Sequence, residues 1–160
     1  MRRAPLYSGE ERRRRDASVW TIVQGVLAPV QFAIFLVSLV LVLRCLGTGA
    51  GAEAATASIV AKTLALYAIM VTGSIWEKEV FGRYLFAPAF FWEDVVSMVV
   101  LALHTAYLAA LFFGQLTIRE QLVLALAAYA SYVVNAAQFL WKLRVARLQG
   151  PGPADLRIAA

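Results

Sequence analysis

Most charged residues in this chain lie at its ends and in short breaks between four long apolar blocks. Val19 to Leu46, Ser58 to Trp76, Pro88 to Phe113 and Leu122 to Trp141 are each dominated by aliphatic and aromatic side chains. Runs of about 20 such residues cross the hydrocarbon core of a bilayer as helices. The pattern therefore predicts an all-α integral membrane protein with four transmembrane helices. A basic tail (1–17) precedes a four-helix domain (18–148, spans at about 19–46, 58–76, 88–113 and 122–141), and a flexible tail (149–160) follows. Pro29 should kink the first span. Gly47 to Ala57 reads as a small-residue loop, Glu77 to Ala87 as a short charged loop, and Pro88 as a first-turn residue of the third helix. Gln24, Gln31 and Ser38 fall seven apart, so they share a helix face that should point into the bundle.

Composition supports the membrane reading and narrows the chemistry. The chain is 61% hydrophobic and 16% charged, with mean hydropathy +0.70, whereas soluble domains are about 25% charged. The first apolar run is too long for a signal-peptide core and has no small-residue cleavage site. Cys45 is the one cysteine, which excludes an intrachain disulfide or a cysteine metal cluster; it reads as a small apolar residue near a helix end. The net charge is +5, but the arginines flank apolar spans, so topology and anionic lipid account for them rather than nucleic acid. With both ends cytoplasmic, twelve of the fifteen Lys and Arg residues fall on the inner side and Arg44, Lys62 and Arg119 on the other. That asymmetry places both termini in the cytoplasm. Lys62 is expected to snorkel from near the start of its helix.

The most informative stretch is Gly73 to Asp94, GSIWEKEVFGRYLFAPAFFWED. It holds Glu77, Lys78, Glu79, Arg83, Glu93 and Asp94, together with Trp76 and Trp92. Charge at the edge of a bilayer is costly unless it is used. An ion-pair network with Lys78 and Arg83 would by itself account for Glu77 and Glu79. It accounts less well for Glu93 and Asp94, which follow an apolar run; burial favours a protonated carboxyl, the form a general acid needs. Glu93 shares a helix face with Ser97, Val100 and His104, which puts the chain's single histidine about 16 Å deeper. Asn135 and Gln138 on the fourth helix and Gln24 on the first bring further polar groups toward the same end. No GxSxG, HExxH, phosphate-loop or dinucleotide pattern is present, and a transmembrane bis-histidine haem site needs two histidines.

The run from Thr56 to Phe112, which contains WEKEVFGRYLFAPAFFWED, closely resembles the 2-vinyl bacteriochlorophyllide hydratase family. ERRRRDAS (Glu11 to Ser18), QGVLAPVQF (Gln24 to Phe32) and YVVNAAQFL (Tyr132 to Leu140) resemble it too, so the likeness extends over most of the chain outside the C-terminal tail. The resemblance implies a lyase of bacteriochlorophyll biosynthesis. Such an enzyme adds water across the ring-A vinyl group of chlorophyllide a, or of a 2-vinyl bacteriochlorophyllide, to give the hydroxyethyl derivative. It also implies a bacterial inner or intracytoplasmic photosynthetic membrane, a magnesium tetrapyrrole, water and lipid as partners, and neighbouring enzymes of the same pathway. No redox cofactor is implied, since hydration moves no net electrons.

Residue roles follow from chemistry. Protonating a vinyl carbon needs an acid, and activating water needs a base. Glu93 is assigned as acid and Asp94 as base, with Glu77 or Glu79 as substitutes. Arg83, then Lys78, would hold the substrate's propionate. Trp76 and Trp92 suit a flat conjugated ligand, Asn135, Gln138 and Gln31 supply polar contacts, and His104 is a candidate axial ligand to the pigment magnesium, although magnesium prefers oxygen. Two other readings use the same residues. A non-enzymatic pigment-binding or assembly protein would not need buried carboxyls. A proton-coupled transporter would be expected to show internal inverted symmetry, and none is visible.

Overall fold

A computed structural model describes residues 5–149; Arg2 and Arg3 of the basic tail, and the C-terminal segment 150–160 with Arg157, lie outside the described residues. Among the described residues every regular element is a helix: α1 (Gly9–Ala17), α2 (Val19–Thr48), α3 (Ala52–Phe81), α4 (Phe91–Phe113) and α5 (Ile118–Leu148). The last four are long and apolar enough to cross a membrane, as the hydropathy pattern predicts. At 1.5 Å per residue, the thirty-residue α2 and α3 are about 45 Å long, well beyond a hydrocarbon core of about 30 Å.

The bundle is two antiparallel hairpins, α2 on α3 and α4 on α5, which meet through α2–α5 and α3–α4 contacts. Cross-helix hydrogen bonds record the α2–α3 register: Gln24 Nε2 donates to Thr72 Oγ1 at 2.6 Å, and Ser38 Oγ meets Ser58 Oγ at 2.7 Å. Outward faces carry Ile22, Val26, Val37, Val40, Leu64, Val71 and Phe112, all exposed. Inward faces carry Gln31, Ser38, Ser97, His104 and Asn135, all buried. A soluble bundle would reverse that arrangement; a lipid-facing one needs it. The face shared by Gln24, Gln31 and Ser38 therefore points where its spacing predicts.

Several boundaries differ from the sequence reading. The Gly47–Ala57 loop shrinks to a tight turn, because Gly49 closes α2 in the left-handed conformation (φ +72°) and α3 begins at Ala52. At its other end α3 continues through the expected charged loop to Phe81, where Gly82 (φ +83°) closes it and its N–H bonds to the Lys78 carbonyl. Only glycine enters that conformation without cost. Pro88 lies in the turn before α4 rather than in its first turn.

The expected tail also contains a helix. In α1, Ser8 caps the Glu11 N–H and the Glu11 carboxylate caps the Ser8 N–H, a capping box that the sequence SGEE encodes. Lys62 does not snorkel. With α3 starting at Ala52, it lies about 15 Å along the helix, and it is 0% exposed.

Candidate active site

The antiparallel order gathers four helix ends at one pole: the start of α2, the end of α3, the start of α4 and the end of α5. Because α3 overruns the predicted loop, Glu77 is a helical residue facing inward, and it meets Asp94 from the first turn of α4. The two side chains, 5% and 4% exposed, lie within electrostatic reach of each other. The connecting loop closes over them: Phe86 N–H donates to Asp94 Oδ2 at 2.7 Å, and Ala87 N–H donates to Glu77 Oε2 at 3.2 Å. Phe86 adopts φ +59°. For a residue with a side chain this costs about 1–2 kcal/mol, so backbone strain is held where the loop grips Asp94.

Two ionised carboxylates only accept hydrogen bonds. Two of them buried this close would repel each other, which favours one proton shared between Glu77 and Asp94. The helix ends decide where that proton rests. Asp94 lies in the first turn of α4, where the positive end of the helix dipole favours an anion. Glu77 lies in the last turns of α3, where the negative end disfavours one.

Glu93 has a different environment, although it is equally buried. Its Oε2 lies 3.2 Å from Lys142 Nζ on α5, and Lys142 also donates to the Ala89 carbonyl. Glu93 therefore has a direct cationic partner, which neither Glu77 nor Asp94 has. The sequence reading ended the fourth span at Trp141, one residue short of Lys142. The signal for it was its position four residues beyond Gln138 and seven beyond Asn135.

The remaining candidates divide by location. Glu79 is exposed on the far side of α3 and accepts from Ser18 Oγ. Lys78 Nζ donates to the Gly82 carbonyl at 2.9 Å and so caps α3, while Arg83 is exposed on the rim of the loop. Trp76 Nε1 donates to Thr21 Oγ1 at 2.9 Å, and its indole packs edge-on against Phe81 and Phe90. Trp92 is 68% exposed and points away from that stack. Asn135 Nδ2 donates to Ser97 Oγ at 2.7 Å, leaving its Oδ1 and the Gln138 Oε1 buried without hydrogen-bond partners. Gln31 is buried in α2, and His104 is sealed in mid-bundle, away from the loop.

Above the carboxyls, Phe90 is surrounded by Tyr7, Trp76, Phe81 and Phe139 at centroid separations of 5.7–6.3 Å. Tyr7, just before α1, stacks on Phe81 and lies 4.7 Å beneath the Arg15 guanidinium. The segment leading into α1 thus packs on the aromatic cluster at this pole.

Buried, hydrogen-bonded carboxyls at one pole of four membrane-length helices define a helical membrane protein equipped for acid–base chemistry. Residues 7–145 match the 2-vinyl bacteriochlorophyllide hydratase family, and the chain belongs to that family. It is 69% identical over 147 residues to the 2-vinyl bacteriochlorophyllide hydratase of Rhodobacter capsulatus, covering 92% of this chain and 85% of that protein. It is 68% identical over 143 residues to the 2-vinyl bacteriochlorophyllide hydratase of Cereibacter sphaeroides, covering 89% of each. No solved structure matches the chain. The resemblance drawn from the Thr56–Phe112 run is confirmed, and the chain is a hydratase, a lyase of bacteriochlorophyll biosynthesis.

Proposed function

We propose that the protein adds water across the ring-A vinyl group of a chlorophyllide-type magnesium tetrapyrrole, with Glu77 as the acid and Asp94 as the base. The observation that carries this assignment is the burial of the two carboxyls close together beneath the adjacent Phe86 and Ala87 amides, which favours one transferable proton beside one basic oxygen. It keeps Asp94 in the role its sequence position suggested and moves the acid from Glu93 to Glu77, because Glu93 is paired with Lys142.

The step closes on itself. The Glu77 proton goes to the terminal vinyl carbon, which becomes a methyl group and leaves a cation at the ring-attached carbon, where the macrocycle delocalises it. Water adds there as Asp94 takes its proton. That proton then passes from Asp94 to Glu77 and restores the starting pair. No outside acid or base is consumed, which suits a site closed off from bulk water.

Arg83 on the rim is the group to hold the propionate, since a guanidinium binds a carboxylate through two hydrogen bonds. Lys78 is already committed to the α3 terminus. The Trp76–Phe81–Phe90 stack offers an apolar wall to the macrocycle. The basic residues of α1, the 82–90 loop and the end of α5 support a cytoplasmic orientation of this pole, in a bacterial inner or intracytoplasmic membrane.

The test is to incubate the purified full-length protein in lipid with chlorophyllide a in D2O. The expected product gains one water and carries a single carbon-bound deuterium, on the new methyl group. Product without deuterium on that carbon would rule out protonation of the vinyl terminus.

A further inference from the structure

The middle of the bundle holds a second polar centre that the carboxyl site does not use. Lys62 of α3 is completely buried, its Nζ has no hydrogen-bond partner, and it lies 3.5 Å over the Tyr132 ring. Among the described residues no carboxylate acts on it electrostatically. His104 of α4 is equally buried, and its Nδ1 lies 2.8 Å from the Val100 carbonyl. A carbonyl oxygen can only accept, so Nδ1 carries the ring proton and Nε2 presents a lone pair. That Nε2 is buried without a partner. Lys62 is within electrostatic reach of the ring but is not hydrogen-bonded to it.

The hydroxyls of Ser38, Ser58, Tyr129 and Thr63 have no proton left for His104 Nε2, and none of them is hydrogen-bonded to Lys62 Nζ. Ser58 Oγ donates to the Ala55 carbonyl at 2.7 Å, so Ser38 must donate to Ser58, and Tyr129 in turn to Ser38. All three hydroxyl protons run along that chain. Thr63 Oγ1 is committed to the Ile59 carbonyl at 2.8 Å. What remains is a lysine nitrogen with N–H groups to donate and an imidazole nitrogen that only accepts, both buried and not bonded to each other.

We propose that Lys62 and His104 form a buried water site, with one water accepting from Lys62 Nζ and donating to His104 Nε2. The ligand class follows from the donor set. An anion would meet the Nε2 lone pair, and a metal dication would meet the Lys62 N–H groups. Only a small molecule that both donates and accepts suits both sides, and buried waters typically make two to four such bonds. The Tyr132 ring face covers the rest of the Lys62 amino group. The site is independent of the roles given to Glu77 and Asp94.

Because His104 is the one histidine in the chain, its NMR signals need no assignment. The full-length protein, ¹⁵N-labelled at histidine, would be placed in lipid nanodiscs and tested for magnetisation transfer from water to the ring. The site requires a transfer peak in the wild-type protein, an Nε2 resonance at a hydrogen-bonded acceptor position, and loss of the transfer with an Nε2 shift in Lys62→Met. The absence of a wild-type peak, or a direct Lys62–Nε2 contact, would overturn it, and both are read on the unmutated protein. A transfer peak unchanged in a folded Lys62→Met protein would equally remove Lys62 from the site.

Discussion

Replacing Glu77 by glutamine should remove the acid while leaving its surroundings almost intact. The glutamine amide can still donate to Asp94, and its oxygen can still accept from the Ala87 N–H, which bonds Glu77 Oε2 at 3.2 Å. Packing volume is unchanged, so the stability cost should stay below about 1 kcal/mol. Chemistry should suffer far more, because an amide has no proton to give. General acid–base groups contribute about 10²–10⁴-fold to rate, which corresponds to roughly 3–5 kcal/mol of barrier. The loss should fall on kcat with KM little changed, as for an interaction made only in the transition state. Glu93→Gln supplies the contrast: it breaks the 3.2 Å ion pair with Lys142, costs about 1–3 kcal/mol of stability, and should leave kcat within about tenfold. The assay is initial-rate hydration of chlorophyllide a, with thermal unfolding measured on the same samples. A Glu77→Gln enzyme at near wild-type kcat, beside a stable but inactive Glu93→Gln enzyme, would refute the assignment and return the acid role to Glu93.

Other consequences can be checked separately. Lys142→Met should destabilise the protein by leaving Glu93 buried without its partner, and adding Glu93→Gln should recover part of the loss; a double-mutant cycle in thermal unfolding reads the coupling, expected at about 1–3 kcal/mol. At Phe86, glycine should give a more stable protein than alanine by about 1–2 kcal/mol, because both lose the ring contact with Phe91 but only glycine relieves the positive φ; unfolding midpoints decide the order. Arg83→Gln should raise KM for chlorophyllide by about tenfold with kcat retained, as expected when only ground-state binding is lost; steady-state kinetics test this. Ser8→Ala should cost α1 about 1 kcal/mol, visible as faster amide exchange across residues 9–17.

The number of long apolar helices and their inward polar faces were legible because both are periodic properties of local sequence. Gln31 and Ser38 on α2, and Ser97 and His104 on α4, lie inward as their spacing dictates. The helix ends were less legible. Charge in EKEVF argued for a loop, yet α3 continues to Gly82, because the outward Lys78 and Glu79 reach the rim while Glu77 finds Asp94. That pairing joins residues from two helices and is set by tertiary geometry, which no spacing rule contains. Lys142 was hidden for the same reason, as it meets Glu93 from α5 one residue beyond the apolar span that ends at Trp141. Lys62 was misplaced by a boundary error: six more helical residues before it move it from the membrane edge to the core. Identity was the most legible feature of all, since the Thr56–Phe112 run carries the family pattern without the structure.

The central claim is that Glu77 and Asp94 share one proton, and infrared spectroscopy addresses it directly. A buried carboxylic acid has a carbonyl stretch distinct from the carboxylate bands. The wild-type protein in lipid at neutral pH should show this acid band, Glu77→Gln should abolish it, and Glu93→Gln should leave it in place. An acid band that survives Glu77→Gln and disappears in Glu93→Gln would contradict the account.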